Sequence, residues 1–341
     1  MTHTNKNGFS NLGNTCYLNA CLQLLFNINE FNTYFVEKSF LNELNTHLKN
    51  NKFKDKKENA FVHQYYGLLR DYFSVDKKLL TPRNLLQSIL QLNTDFELGE
   101  QHDSQEMLIF ILDTLHESLN YEVDVNFEGT PQNKTDKLVI ESIDELSKIL
   151  KKKYSIVNEL FYGMYYNTFV SIEEDTTGKF ISKKWEHFNN LTLQFDGSHL
   201  VENLDLYFKD EIMDTEMEEE STGKKYKVKK ITKIINSPKY LFITLKKYDI
   251  RGKKNKNNYT FPIEKFDFSK YCDGYDKYDC NYKLIGAICH SGSIDFGHYI
   301  SIIKKGEKWY VFNDDNVSEI NIESQKNMLF KNGYVLLYQK I

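Results

Sequence analysis

Cys16, His298 and Asn313 are the residues of this chain whose types and settings suit acyl-transfer chemistry. Cys16 follows a polar, glycine-bearing turn, Gly8-Phe9-Ser10-Asn11-Leu12-Gly13-Asn14-Thr15, and precedes an apolar run with Leu18, Cys21, Leu22 and Leu25 at helical spacing. That spacing puts it in the first turn of a helix, where unpaired backbone N–H groups and the macrodipole favour negative charge. A free thiol ionises near pH ~8.5, so a helix start beside a histidine is the setting that activates a cysteine at neutral pH. Cys21 reads as a buried structural thiol, and taken alone Cys16 could be one too.

His298 ends the Gly/Ser loop Ser291-Gly292-Ser293-Ile294-Asp295-Phe296-Gly297 and begins a strand pattern. A tight turn centred on Lys305 and Gly306 would fold that strand back so that His298 stands opposite Asn313, Ile300 opposite Val311 and Ile302 opposite Trp309. Opposed residues carry Cβ atoms roughly 4.5–5.5 Å apart on one face. The Asn313 carboxamide oxygen is then expected to accept from His298 Nδ1–H, leaving the other ring nitrogen as the base. A slip of one residue would turn the faces over, with Asp314 as the fallback orienter.

The elements that must position these residues are helical first and extended later. Residues 17–26, 61–73, 82–92 and 103–119 show apolar residues at helical spacing, with Thr81-Pro82 as a cap and first-turn pair. Residues 126–140 read as a polar loop and 142–152 as a short helix. From about residue 160 the pattern is short and strand-like, at 239–248, 283–289, 299–303, 308–312 and 334–339. Helices followed by strands predict a segregated α+β fold.

Composition narrows the function classes. At 341 residues the chain can bury a large core, and its net charge of -4 offers no basic field for nucleic acid. The basic stretch 49–57 and the acidic stretch 214–220 read as solvated loops. No run approaches the ~20 apolar residues that span a bilayer, and nothing near residue 1 resembles a signal peptide, so an intracellular protein, cytoplasmic or nuclear, is expected. Five cysteines without a CxxC pair argue against a disulfide framework or a zinc ribbon.

Four segments, in this order, resemble the motifs of the ubiquitin-specific proteases. They are residues 8–23, Gln101-His102-Asp103-Ser104-Gln105-Glu106-Met107, Ser155-Ile156-Val157-Asn158-Glu159-Leu160-Phe161-Tyr162-Gly163, and 297–317; the resemblance spans residues 8–338. It implies a single papain-like catalytic domain over residues 1–341, with a helical thumb to about residue 125 and β-rich palm and fingers from about residue 160. By the same resemblance Cys16 is the nucleophile, His298 the base, Asn313 the orienter and Asn11 a donor to the oxyanion, with capping of its turn as the alternative role for Asn11. Asp103 matches a residue that contacts the ubiquitin tail. Locally, Asp103-Ser104-Gln105-Glu106 is also a capping box, and the two roles are compatible. Gln101, Gly297 and Tyr299 fall to the substrate channel, bordered by loops 249–259 and 291–297.

The implied partners are ubiquitin and ubiquitinated proteins, met by a monomer that needs no cofactor. Many members hold zinc in the fingers through two CxxC pairs, but the matching stretches 165–172 and 224–233 contain no cysteine. Packing by Phe169, Phe180, Trp185 and Phe188 against Tyr226, Val228 and Ile231 is expected instead, with residues 214–220 facing 224–233 across a turn at 221–223. Two other readings remain open, a ubiquitin-binding pseudoenzyme and a protease for another ubiquitin-like modifier.

Overall fold

The computed structural model describes residues 5–49, 56–74, 79–194, 197–248, 255, 259–293 and 296–341. Most of the basic stretch 49–57 and of the loop 249–259, and residues 294–295 of the loop 291–297, lie outside the described residues.

Helices come first: α1 Cys16–Leu25, α2 Asn29–Val36, α3 Phe40–Lys49, α4 Lys56–Phe73, α5 Arg83–Leu92, α6 Ser104–Leu119, α7 Lys134–Ile149 and α8 Ile156–Phe161. Every residue of α1 is buried, so it forms the axis around which the others pack. Its polar side chains therefore need partners within the fold. Gln23 Nε2 donates to the Asn7 carbonyl at 2.9 Å, and the Tyr72 hydroxyl donates to Gln23 Oε1 at 2.9 Å. One sequence expectation fails here, since residues 134–140 belong to a sixteen-residue helix and not to a loop. Asn133 caps that helix by accepting from the Asp136 N–H at 2.9 Å.

The longer strands follow: β1 Gly163–Ser171, β2 Phe180–Phe188, β3 Asn190–Gln194, β4 Val228–Asn236, β5 Tyr240–Lys246, β6 Asn281–Gly292, β7 Gly297–Lys305, β8 Lys308–Asn313, β9 Asn316–Ile320 and β10 Gly333–Lys340. Two further helices, α9 Leu200–Tyr207 and α10 Ile322–Asn332, interrupt a region read from sequence as strands alone. The large sheet runs β9-β8-β7-β6-β10-β5-β3, antiparallel except for the β5-β3 pair. A smaller sheet runs β2-β1-β4 and ends on the short strand Glu211–Ile212.

Strand alternation feeds two cores from one sheet. Val335 and Leu337 of β10 face the helical body, while Leu336 and Tyr338 face a second core shared with Leu200 and Leu204 of α9 and Leu329 of α10. The helical body thus packs on one face of the large sheet, and α1 lies directly against it: Ser301 Oγ on β7 donates to the Ala20 carbonyl at 3.0 Å. Among the described residues no helix is long and apolar enough to cross a membrane.

The small sheet has its own packing. Phe169, Ile181, Tyr226 and Val228 form one cluster, and α7 covers Met164, Tyr166 and Ile235 with Leu138, Val139, Leu146 and Ile149. Phe180 is exposed rather than packed. The acidic and basic runs do meet across the turn, with Lys225 opposite Glu218 and the Glu219 N–H donating to the Lys224 carbonyl at 2.9 Å.

Candidate active site

The site forms where the start of α1 meets the edge of the large sheet. Asn11, Gly13, Asn14 and Thr15 build the turn before α1. Asn11 Oδ1 accepts from the Gly13 and Thr15 N–H groups, both at 3.1 Å, while Asn14 Nδ2 donates to the Gly99 carbonyl at 2.6 Å. Gly13 and Asn14 take positive φ, +103° and +56°, the conformation that glycine and asparagine tolerate best. Cys16 follows as the first residue of α1 and is 3% exposed.

His298 comes from β7, and the β7-β8 hairpin differs from the expected one. Lys305 pairs with Lys308, which centres the turn on Gly306 and Glu307, and the ladder runs Lys304-Trp309, Ile302-Val311 and Ser301-Phe312. Partners are therefore shifted by two residues from those read off the sequence. A shift of two keeps every side chain on its face. His298 lies beyond the last rung and meets Asn313 diagonally, with Nε2 2.6 Å from Asn313 Oδ1.

A carboxamide oxygen can only accept, so Nε2 carries the hydrogen and the ring is turned the opposite way from the expectation. That leaves Nδ1 for the cysteine. The Cys16 hydrogen bond, opposed by burial and aided by the Asn313 hydrogen bond, pushes His298 up to about 9. At neutral pH the imidazole therefore holds its proton toward the sulfur.

Asp314, the fallback orienter, makes other contacts. It occupies the β8-β9 turn at φ +52°, where its carboxylate accepts from Asn11 Nδ2 at 2.8 Å and from Asn19 Nδ2 at 2.7 Å. It also adds a weaker charge contribution to His298. Its carbonyl accepts from the Phe9 N–H at 2.9 Å, and a Cβ on Gly8 would stand 2.7 Å from that carbonyl oxygen, so only glycine allows this approach. Asp314 thus ties the turn before α1 to the end of β8. Asn19 was missed from sequence, although a polar residue three positions after Cys16 inside an apolar run is a visible anomaly.

The residues expected to line a substrate channel gather at the start of α6 and the start of β7. Asp103 caps α6, Oδ1 accepting from the Gln105 and Glu106 N–H groups at 2.6 and 3.4 Å, while Oδ2 accepts from the Tyr334 hydroxyl at 2.5 Å. Tyr334 was not anticipated either. Tyr299 is buried and stacks on His290 with ring centroids 4.5 Å apart. Gln101 Oε1 accepts from the Gly297 N–H at 2.8 Å, joining two of the expected channel residues, and Gly297 has no side chain where His290 packs against it.

The family profile described as ubiquitin carboxyl-terminal hydrolase matches residues 7–338. Ubiquitin carboxyl-terminal hydrolase Usp2 of Drosophila melanogaster is 28% identical over 346 residues, covering 98% of this chain and 34% of that protein. Ubiquitin carboxyl-terminal hydrolase 4 of Eremothecium gossypii is 25% identical over 368 residues, covering 98% of this chain and 42% of that protein. The chain thus spans less than half the length of these two relatives. A chain of the SAGA DUB module bound to monoubiquitin superposes with a TM-score of 0.77 at 21% identity, covering 100% of this chain and 70% of that one.

That likeness shows the fold, in which the helical body, the large sheet and the small sheet are thumb, palm and fingers. The neighbour is part of a multi-subunit module and lends no support to the expected monomer. Because the profile match begins ahead of the Cys16 turn and runs into β10, the chain belongs to the ubiquitin carboxyl-terminal hydrolase family.

Proposed function

We propose that the chain is a thiol-dependent hydrolase that releases ubiquitin from conjugates or precursors by cutting after its C-terminal glycine. The meeting of Cys16 with the His298–Asn313 pair, brought from opposite ends of the chain, carries this reading. The Cys16 thiolate attacks the carbonyl carbon of that glycine, and the carbonyl electron pair moves to oxygen. Asn11 donates one amide hydrogen to Asp314, and we assign the other, with N–H groups at the start of α1, to the oxyanion. His298 then passes its proton to the leaving lysine amine as the C–N bond breaks, leaving a thioester. Water deprotonated by His298 releases ubiquitin and restores the resting pair. Asn313 holds the ring throughout.

Gln101, Asp103, Gly297 and Tyr299 are assigned to the channel for the ubiquitin tail. Asp103 Oδ2 keeps a second lone pair for an N–H of an extended chain. A Gly-Gly end suits a narrow channel, since glycine alone has no side chain to collide with the walls.

The test is reaction with ubiquitin carrying a C-terminal thiol-reactive electrophile, beside a panel of other ubiquitin-like modifiers so equipped. A single ubiquitin adduct on Cys16, absent from Cys16→Ala, is expected. Labelling of another cysteine with Cys16 untouched, or preference for a different modifier, would overturn the reading.

A further inference from the structure

Away from the active site, the described residues bring together Cys272, Asp276 and Cys280, whose donor atoms all lie within 4.8 Å of one another. They flank a surface loop that enters β6 after the short helical turn Ser269–Tyr271. Sulfur and carboxylate donors at this spacing suggest a metal at first sight, but the surroundings speak against it. Asp276 Oδ2 accepts from the Ser237 N–H at 2.8 Å and hydroxyl at 2.5 Å, and Oδ1 accepts from Lys340 Nζ at 2.7 Å. An ammonium there already balances the carboxylate and would repel a second cation.

Of the two sulfurs, Cys272 Sγ donates to the Phe268 carbonyl at 3.3 Å and Cys280 Sγ lies 3.1 Å from the Ser237 oxygen. The adjoining Cys272 sulfur and the nearby Lys340 charge, opposed by burial and the Asp276 charge, hold the Cys280 thiol below its ordinary range, while the Cys280 sulfur and burial push Cys272 up. One nucleophilic sulfur beside one protonated sulfur is the arrangement of an attacking and a resolving cysteine. Both thiols are buried, while the loop between them lies at the surface, with its Tyr275 and Tyr278 56% and 70% exposed.

We propose that Cys272 and Cys280 form a reversible disulfide, a modification site for hydroperoxides that is separate from Cys16. The Cys280 thiolate attacks one peroxide oxygen, the O–O bond breaks, and hydroxide leaves a sulfenic acid behind. The Cys272 sulfur then attacks that sulfenic sulfur, the S–O bond breaks, and a second hydroxide departs. The two thiol protons end on the two hydroxides, so two thiols and one hydrogen peroxide give one disulfide and two waters. Rotation of the side chains brings the sulfurs to a bond length of about 2.05 Å.

The bond closes a ring over the joint between fingers and palm. Within it the Asp273 N–H donates to the Ile234 carbonyl of β4 at 2.6 Å, and Asp273 Oδ2 accepts from the Tyr166 hydroxyl of β1 at 2.6 Å. Oxidation therefore fastens the root of the fingers to the first residues of β6.

The folded protein is treated with hydrogen peroxide, unfolded in an alkylating agent, and its peptides are mapped by mass spectrometry. A link between the Cys272 and Cys280 peptides, reversed by dithiothreitol, is expected, with Cys21 and Cys289 still alkylated as free thiols. Lys340→Gln should slow formation of the link without abolishing it. Recovery of both Cys272 and Cys280 as alkylated thiols once Cys16 is oxidised would overturn the proposal. So would one zinc ion per purified chain that shields both thiols from alkylation. Neither result depends on whether the chain hydrolyses ubiquitin conjugates.

Discussion

The proton held on His298 is the most exacting test of the catalytic reading. With its titration raised to about 9, chiefly by the hydrogen bond to Cys16, roughly 99% of the imidazole is charged at pH 7, against about a quarter for a free histidine. Replacing Cys16 by alanine removes both Cys16 contributions and leaves burial opposed by Asn313 and Asp314. The titration should then fall back toward the ordinary value near ~6.5. Because the folded value lies above the unfolded one, the stability this pair contributes is complete below about pH 6.5 and is lost as pH rises through about 9. The assay is NMR titration of the His298 ring in wild type and Cys16→Ala, alongside kcat/KM against pH. Wild type should show its alkaline limb near 9, where His298 no longer has a proton for the leaving amine. A His298 titration that Cys16→Ala leaves unmoved would refute the reasoning.

The remaining predictions follow from contacts already described. Asn313→Ala should lower kcat/KM by roughly ten- to a hundredfold, the worth of a hydrogen bond to a charged group, while Asn313→Asp retains an acceptor and most activity. Asp314→Ala should do less harm, and the opposite order in steady-state kinetics would make Asp314 the orienter. Asp103→Ala should cost about 2–4 kcal/mol in denaturant unfolding, from a lost cap and an unpartnered Tyr334 hydroxyl, whereas Asp103→Asn should keep the cap and chiefly raise KM. Gly8→Ala should cost about 1–3 kcal/mol and slow turnover, since the added Cβ presses on the backbone of the Asp314 turn; unfolding curves and kcat check both. A strong chelator should leave the melting temperature and hydrolysis unchanged.

Much of the site was legible because its residues carry local signals. A turn with Gly13 and Asn14 at positive φ, an apolar helix behind Cys16 and a Gly/Ser loop before His298 can each be read from a few neighbours. The hairpin register was not, because a turn misplaced by one residue shifts partners by two. The period of two preserved the face, so Asn313 still meets the His298 ring although its rung was wrong. The ring orientation of His298 had no sequence signal, since it depends on where α1 sits above the sheet. The first half of α7 was mistaken for a loop because its first turns are polar and the apolar side of the helix, Leu138, Val139, Leu146 and Ile149, is only partly buried on the fingers. Helices α9 and α10 lie among strands and bury few residues each, which left their periodicity weak.

The placement of β10 has a consequence for how the protein comes into being. This strand, later in sequence than every other strand described, lies in the interior of the large sheet, between β6 and β5. During synthesis from the amino end, the palm lacks a central plank until residues 333–340 emerge. Pairings between distant parts of a chain form late, because a long loop must close before they can hold. The thiol-bearing helix is thus made early, whereas the imidazole sits on a sheet that cannot be completed until β10 inserts. A growing chain would carry the cysteine long before its histidine, and the two would be held together only once β10 is in place.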